Sequence, residues 1–483
     1  MIATKNLTAT AHLNSLSWLG IVRLGLVQAA LGAIVVLTTS TINRVMVVEL
    51  MLPAIIPGAL VALHHALQLL RPRMGHGADV GGRGTPWIIG GMAVLALGGV
   101  LSAMATALMG TNFLAGIALA VLAFALIGAG VSASGTSLLV LVAKRVAPNR
   151  KPAAAAIIWI LMISGFVLTA TVAGKFLDPF STARLVMVTS SVSAIAFVIA
   201  LLAVWGVEGN PRLSNVGAEV ASAAGAAVAA ESKKSSFKSA LKEVWAEPQA
   251  RHFTIFVFVS MFAYNAQDLI LEPFAGSVFN FTVGQSTGLS GLQHGGVLTG
   301  MILVGAIATM AWGKALGSLK FWMVTGCIGS GIALVGLVLA GSVGPTWPLK
   351  TNVFLLGLAN GAFSIAAVAS MMSMASNGRE SREGVRMGMW GAAQAIAFGL
   401  GSFFGAAMSD IAKLLLGSPV AAYSTVFAFE AVLFLVAAVL AYQISPAKDF
   451  RQSNAGSNPS DAASKPSEST SRDSLVASLT GRA

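Results

Sequence analysis

Twelve apolar runs, separated by polar or charged segments, fill most of this 483-residue chain. Since a helix needs about 20 apolar residues to cross the hydrocarbon of a bilayer, each run is a candidate membrane span. The predicted spans lie near residues 20–42, 53–70, 87–108, 114–142, 153–174, 185–206, 253–273, 293–312, 321–341, 352–375, 387–410 and 421–443. Only 10% of the residues are charged, against about 25% in a soluble domain. The sequence therefore predicts an all-α membrane protein with twelve transmembrane helices.

Positive charge is distributed unevenly between the two sides of the predicted bundle. With the N-terminus inside, 25 of the 30 Lys and Arg residues fall in the termini and loops of one side. The opposite side keeps five, namely Arg44, Lys175, Arg184, Lys350 and Lys413. Because Lys and Arg concentrate in cytoplasmic loops, both termini are predicted to be cytoplasmic. The same distribution explains the net charge of +12 better than nucleic-acid binding does.

The single cysteine, Cys327, lies within an apolar run and limits the available chemistry. It permits neither an intramolecular disulfide nor a cysteine metal cluster, and we predict no metal site. The segment before Trp18 has no cleavage-site pattern, so the first apolar run is expected to remain as a membrane helix.

A long loop over residues 207–250 divides the spans six and six. Its first part is rich in Ala, Ser, Gly and charge, which is typical of a flexible linker. Its second part places Phe237, Leu241, Val244 and Trp245 at helical spacing and predicts an amphipathic helix on the membrane surface. The domains are then two six-helix halves over 1–206 and 251–444, the linker 207–250 between them, and a disordered tail over 445–483. This arrangement predicts the major facilitator superfamily fold.

A glycine-rich loop after the second span supports that architecture. Gly75, Asp79, Gly82 and Arg83 match the facilitator loop pattern G-x-x-x-D-x-x-G-R at the expected place. Glycines allow the tight turn, and the aspartate can cap a helix or pair with a basic residue. A phosphate-binding loop is the alternative, but no strand precedes the glycines and no GKS or GKT follows. The matching loop of the second half, residues 313–320, lacks the aspartate.

A polar stripe interrupts the seventh span. Asn265, Asp268 and Glu272 recur at i, i+3 and i+7 on one helix face, beside Gln267. A carboxylate near the bilayer centre costs roughly 2.5–3.5 kcal/mol unless it faces the protein interior or a wet cavity. A proton, a cation or a basic side chain must neutralise one of the two acids. The stripe is either a structural ion-pair network or a ligand or proton site.

The first span ends with a comparable polar group, Asn43, Arg44 and Glu49. In a pseudo-twofold facilitator the first and seventh helices face one another across the central cavity. At 1.5 Å per residue, Arg44 and Glu272 both lie roughly 30 Å from the cytoplasmic start of their helices. We therefore predict that Arg44 lies near Glu272 or Asp268 on the outer side. The alternative is that Arg44 extends to the outer membrane interface.

Two pairs of polar residues are candidate ligand contacts. His64 and His65 are adjacent in the second span, and Gln293 and His294 open the predicted eighth span. A neutral imidazole can ligate the magnesium of a chlorin, although packed or hydrogen-bonded histidines are the commoner case. Glu430, within the twelfth span, is a candidate contact with another membrane protein or a lipid headgroup.

Several of these segments together resemble the PucC/LhaA family, the bacteriochlorophyll-delivery branch of the major facilitator superfamily. The resemblance rests on residues 41–50, 266–276 and 289–296, and on the loop 244–248, and it extends over most of the chain outside the tail. It implies assembly of light-harvesting antenna complexes in the intracytoplasmic photosynthetic membrane of a bacterium. It also implies bound bacteriochlorophyll or carotenoid, and antenna polypeptides as partners, with the reaction-centre core complex or chlorophyll synthase as further candidates.

The sequence leaves one alternative function open. A proton-coupled secondary transporter of a small amphipathic solute would use Asp268 or Glu272 to carry the proton. The position of both acids toward the outer end of the predicted span disfavours it, because coupling sites usually lie near the midplane. An enzyme is not expected, since no nucleophile–base pair, nucleotide loop or pair of aspartate-rich motifs for magnesium diphosphate occurs in the chain.

Overall fold

The computed structural model describes residues 16–70, 84–147, 150–208, 245–309, 318–376 and 383–444. Twelve membrane helices account for nearly all of them. They are α1 (Trp18–Glu49), α2 (Ile55–Leu67), α3 (Thr85–Met109), α4 (Phe113–Arg145), α5 (Lys151–Leu177), α6 (Thr182–Val204), α7 (Pro248–Phe279), α8 (Val283–Thr309), α9 (Leu319–Val343), α10 (Leu349–Ser376), α11 (Glu383–Leu416) and α12 (Pro419–Gln443). Eleven are long and apolar enough to span a bilayer; α2 is shorter and continues as a 3₁₀ turn, Gln68–Leu70. The chain is a multi-pass α-helical membrane protein.

Apolar composition and polar caps together explain why these segments are helical. In hydrocarbon every backbone group must be satisfied within its own segment, which a helix achieves. Where helices begin at the membrane surface, a side-chain oxygen accepts a hydrogen bond from a free backbone N–H. Such caps are Ser17 on α1, Asn112 on α4, Ser181 on α6 and Ser418 on α12.

Some helices extend well beyond the predicted apolar runs. α8 begins at Val283, not near 293, and α7 continues to Phe279, not 273. The added turns of α8 contain Thr287 and Ser290, and Thr287 shares a 3.0 Å hydrogen bond with Thr41 of α1. Hydropathy misses such turns because their polar side chains are satisfied by neighbouring helices and not by water.

Tryptophans mark the end of the bundle that carries the Lys- and Arg-rich loops, which we call the basic face. Trp18, Trp87, Trp205 and Trp245 are all exposed there, at the ends of α1, α3 and α6 and just before α7. Trp is enriched at membrane–water interfaces, so these residues fix the level at which the bundle leaves the hydrocarbon. The other end is called the opposite face below.

The two six-helix halves meet along two pairs of helices, and Ile163 of α5 packs against Val297 and Met301 of α8 near the middle of the bundle. Across the boundary α5 packs on α8 and α2 packs on α11. One hydrophobic cluster contains residues of the first half only and another contains residues of the second half only. A third cluster, near the opposite face, joins the first half to Leu269, Val283 and Ala406 of the second.

Hydrogen bonds between the halves are less widely distributed than these apolar contacts. The structure describes seven that involve side chains, and all lie in the part of the bundle toward the opposite face. Asp178, after α5, accepts from the Thr282 hydroxyl at 2.6 Å and from the Gly284 N–H at 3.0 Å. Asp410 of α11 accepts from the Ile55 N–H at 2.8 Å. Within the described residues, the halves are therefore latched at the opposite face.

The predicted linker and tail fall almost entirely outside the described residues, which omit 209–244 and 445–483. Most of the predicted amphipathic helix lies there too. The same holds for the glycine loop, since residues 71–83 are not described, so Gly75, Asp79, Gly82 and Arg83 remain predictions from sequence.

Candidate functional site

Two π-helical segments bracket the polar residues near the end of α1. Leu37–Thr41 and Val45–Glu49 are π-helical, and Ile42–Arg44 between them is α-helical. Short π segments are rare and occur frequently at functional sites. Asn43 and Arg44 both point into the protein, where each is 2% exposed. Asn43 donates to the Leu269 carbonyl of α7 at 2.5 Å.

Arg44 joins both halves at the opposite face. Its Nη1 forms an ion pair with Glu49 of the same helix, and its Nη2 donates to the Phe281 carbonyl at 2.7 Å. Glu272 lies close enough for an electrostatic interaction, but the ion pair itself forms with Glu49. The burial of Arg44 also excludes the alternative in which it extends to the membrane surface. A Cβ at Gly276 would meet Nη2 at 3.1 Å, so glycine gives the guanidinium its room.

The polar stripe on α7 does not act as one unit, because its first member faces another helix. Asn265 donates to the Phe398 carbonyl of α11 at 2.7 Å and contacts the Ser402 hydroxyl of the same helix. These contacts lie within the second half, where they join α7 to α11.

Gln267 belongs to a buried chain of polar side chains within the second half. Its Oε1 accepts from Asn360 Nδ2 of α10 at 3.2 Å, and Asn360 Oδ1 accepts from the Ser330 hydroxyl of α9 at 2.7 Å. All three residues are fully buried. A buried amide is costly unless it is hydrogen-bonded, and the hydrogen bonds among Gln267, Asn360 and Ser330 satisfy most of these buried polar atoms. Sequence reasoning did not identify Asn360 or Ser330, since a lone polar residue in an apolar run gives no partner.

Asp268 and Glu272 face α8 and α1 at the boundary between the halves. Asp268 is half-buried and lies beside Gln293 and His294. Glu272 is 1% exposed and lies near Arg44, Ser290 and Asp268. Neither Glu272 oxygen, nor Asp268 Oδ1, is within hydrogen-bond distance of a donor among the described residues. The two acids thus have charged and polar neighbours, while three of their four carboxylate oxygens accept no hydrogen bond from the described residues.

The bounds of α7 give the level of these two acids in the bundle. Because α7 runs from Pro248 to Phe279, Asp268 lies about 7 Å and Glu272 about 13 Å beyond the helix midpoint at 1.5 Å per residue. Gln293 lies ten residues inside α8 and does not open it. Both acids lie on the opposite-face side of the α7 midpoint, Asp268 nearer to it than Glu272.

The two predicted pigment-contact pairs lie in two different seams between the halves. His65 of α2 packs against Phe398 of α11, with ring centroids 5.5 Å apart. Both His65 and its neighbour His64 contact the Gln68 amide nitrogen, at 3.2 and 3.0 Å. His64 is 1% exposed, whereas His65 is half-buried.

His294 occupies the other seam, between α5 and α8. Its ring packs edge-on against Phe166 of α5, with centroids 5.0 Å apart. Its Nδ1 lies 2.9 Å from the Ser290 carbonyl oxygen. Since a carbonyl only accepts, Nδ1 must carry the proton in the neutral ring, and Nε2 then carries the lone pair. That is the arrangement found in metal-ligating histidines, whose second nitrogen donates to a carbonyl or carboxylate.

Two further acids lie where the sequence did not predict them. Glu430 was a candidate lipid or protein contact, but it is fully buried within the second half, so that prediction was wrong. Helix α12, which carries it, packs on α7, α9 and α11 of the same half. Asp178, which latches α8, was not singled out; its only sequence signal is an acidic residue on the sparsely charged side.

The sequence of this chain is similar to those of known proteins over most of its length. The sequence profile of the family described as PUCC protein matches residues 41–448. The chain belongs to the PUCC protein family. A relative from Rhodobacter capsulatus, named bacteriochlorophyll synthase 44.5 kDa chain, is 49% identical over 434 residues, covering 90% of this chain and 97% of the relative. Protein PucC of Cereibacter sphaeroides is 28% identical, covering 87% and 91%.

Solved structures similar to this PUCC family member confirm the predicted major facilitator superfamily fold. A D-xylose-proton symporter superposes with a TM-score of 0.68 at 14% identity, covering 88% of this chain and 97% of that one. A bacterial homolog of the human lysosomal transporter Spinster gives 0.62 at 16% identity, covering 91% and 98%. At these identities the likeness concerns the fold alone.

Proposed function

We propose that this chain is an assembly factor for photosynthetic antenna complexes, which binds bacteriochlorophyll and guides antenna polypeptides within the membrane of a phototrophic bacterium. The observation that carries the proposal is the near full-length, 49% identity to a chain whose name refers to bacteriochlorophyll. The relatives named PucC support the same photosynthetic role. Both termini are proposed to be cytoplasmic, from the distribution of Lys and Arg.

The residues of the two seams fit a chlorin ligand in their chemistry. When bound, the pigment would supply a magnesium ion that an imidazole nitrogen could ligate. His294 suits that role best, because its Nδ1 is engaged by the Ser290 carbonyl and its Nε2 carries the lone pair. His65 lies in the second seam. Both positions are at boundaries between the halves, so a pigment could enter sideways from the lipid. Its hydrocarbon tail favours the lipid over water by about 0.8 kcal/mol per CH₂.

The word synthase in the relative's name does not define the proposed activity. No group of three or more His, Cys, Asp or Glu residues suited to a metal ion occurs within the described part of the chain. The polar groups at the boundary are a guanidinium, two carboxylates, amides and hydroxyls, which bind and position better than they catalyse. We therefore propose binding and delivery without a chemical step.

Purification from native membranes in mild detergent tests the proposal. We expect antenna polypeptides and chlorin absorbance to co-purify with the tagged protein, and a deletion strain to lose antenna complexes. A colourless preparation without antenna polypeptides, from a strain whose antenna still depends on the protein, would contradict the delivery role.

A second candidate function, a proton-coupled carrier of an amphipathic solute, is favoured by one observation. Asp268 lies about 7 Å from the midpoint of α7, half-buried between the halves, as a coupling residue should. Solute flux driven by a pH gradient in proteoliposomes, and abolished by Asp268→Asn, would support this candidate. Absence of flux for wild-type protein would leave the assembly role.

A further inference from the structure

A groove lies between α8 and the beginning of α10 at the opposite face. It is lined by Phe281, Gln285, Gly288, Leu289, Leu292 and Lys350, and we call it the Lys350 groove. Its volume is about 450 Å³, within the range of roughly 300–1,000 Å³ typical of small-ligand sites. Phe281 also belongs to the candidate site, through the backbone carbonyl that accepts from Arg44; the other five lining residues do not.

The groove opens away from the protein interior. On α8, Ser290 and Thr287 face α1, as their contacts with Ser40 and Thr41 require. At 100° per residue, Gln285 and Leu292 lie on nearly the opposite side of the same helix. Helix α8 contacts α5 at Gly284 and α10 at Gly296, so the side opposite α1, between those two contacts, is the one left to the acyl chains of the lipid.

Polarity changes along the groove from its mouth to its floor. Lys350 is the second residue of α10 and Gln285 the third of α8, so both lie at the membrane surface. Leu292 lies seven residues further along α8, about 10 Å deeper, and Leu289 and Phe281 add apolar surface. A Cβ on Gly288 would meet no atom within 4 Å, so glycine leaves the middle of the groove open.

The mouth of the Lys350 groove carries a positive charge that is free to bind an anion. Lys350 is exposed and has no hydrogen-bond or ion-pair partner among the residues that the structure describes. The N-termini of α8 and α10 both begin here, and each carries partial positive charge. Two acids near this region are already engaged: the Asp178 carboxylate accepts from Thr282 and the Gly284 N–H, and Glu49 is paired with Arg44.

We propose that the Lys350 groove binds one anionic phospholipid, with its phosphate at Lys350 and an acyl chain along Leu289 and Leu292. The cation at the surface, the apolar floor below it and the opening toward lipid match the two parts of such a molecule. A polar solute would lack the apolar contacts, and a neutral lipid would leave the ammonium without a counter-charge. The bound lipid would fill the outer side of the contact between α8 and α10.

Native mass spectrometry of the full-length protein in detergent, equilibrated with equal amounts of phosphatidylglycerol and phosphatidylcholine, tests the proposal. Wild-type protein should retain one phosphatidylglycerol in preference to phosphatidylcholine. Lys350→Gln should reduce that preference about fivefold, the effect of one basic residue near an anionic headgroup. Gly288→Leu should fill the groove and reduce retention of both lipids.

Two matched variants serve as controls. Lys175→Gln removes the charge of another exposed lysine on the same face, and Gly295→Leu adds the same side chain to α8 at a glycine that also has open space but does not line the groove. Both should retain lipid as wild type does. Equal loss in Lys175→Gln and Lys350→Gln, no headgroup preference in wild type, or loss of chlorin but not phospholipid in Gly288→Leu would each overturn the proposal.

Discussion

Arg44 pairs with Glu49, five residues further along its own helix, although Glu272 of the opposite half is nearby. In a regular α-helix, residues five apart point about 140° away from each other. The segment Val45–Glu49 is π-helical, with hydrogen bonds from i to i+5, as between the Leu50 N–H and the Val45 carbonyl. This turn brings Glu49 above Arg44, and the π segment is therefore the cause of the ion pair.

Replacing Arg44 is expected to destabilise the protein. Arg44→Met removes one partner of a largely buried ion pair and the hydrogen bond to the Phe281 carbonyl. We expect a loss of about 3 kcal/mol, at the lower end for a buried pair because Glu49 is one-third exposed. The free energy of unfolding in mixed detergent–SDS micelles measures it, with Lys175→Met as a control on the same face. Unchanged stability of Arg44→Met would contradict the structural role.

The interaction between Arg44 and Glu272 can be isolated with a double-mutant cycle. If Glu272 is charged in the folded protein, Arg44→Met leaves a buried carboxylate without a cation. Adding Glu272→Gln should then restore part of the lost stability, with a coupling energy of roughly 0.5–3 kcal/mol. Additive effects of the two substitutions would mean that Arg44 acts through Glu49 and Phe281 alone.

The sequence predicted the twelve helices and the fold because both depend on features that one segment carries by itself. About 20 apolar residues define a span, and the six-plus-six division defines the superfamily. It also identified Asn43, Arg44, Asp268 and Glu272, since polar residues in apolar runs need a reason to be there. Both the spans and these polar residues can be recognised without knowing which helices are neighbours.

Pairings and helix ends could not be predicted in the same way. The partner of Gln267 is Asn360, 93 residues away, and only the tertiary arrangement of the second half brings them together. The first turns of α8 read as a polar loop because hydropathy does not record that Thr287 meets Thr41. The π segments of α1 have no sequence signal that we can identify, yet they decide which acid pairs with Arg44.

Asp178 is expected to hold the opposite face closed. Asp178→Ala removes the acceptor for the Thr282 hydroxyl and the Gly284 N–H, so the α5–α8 contact should loosen at that end. A cysteine at Thr287, in a Cys327→Ser background, should then react faster with a membrane-impermeant maleimide. Ser418→Ala, which removes a helix cap within the second half, is the control. Equal labelling rates in all three proteins would show that Asp178 is not a latch.

His294 is the histidine whose loss should most reduce pigment binding, if the proposed function is correct. Its Nδ1 donates to the Ser290 carbonyl, which leaves Nε2 as the nitrogen of this ring able to ligate magnesium. His294→Phe removes Nε2 and keeps an aromatic ring against Phe166. We expect chlorin absorbance per protein to fall in His294→Phe and to remain in His252→Phe, whose histidine lies at the basic end of α7. His65→Phe tests the other seam, where the ring contacts Gln68 and Phe398. If His65→Phe loses the pigment and His294→Phe keeps it, the ligand belongs to the α2–α11 seam, and the assignment based on the His294 hydrogen bond is wrong.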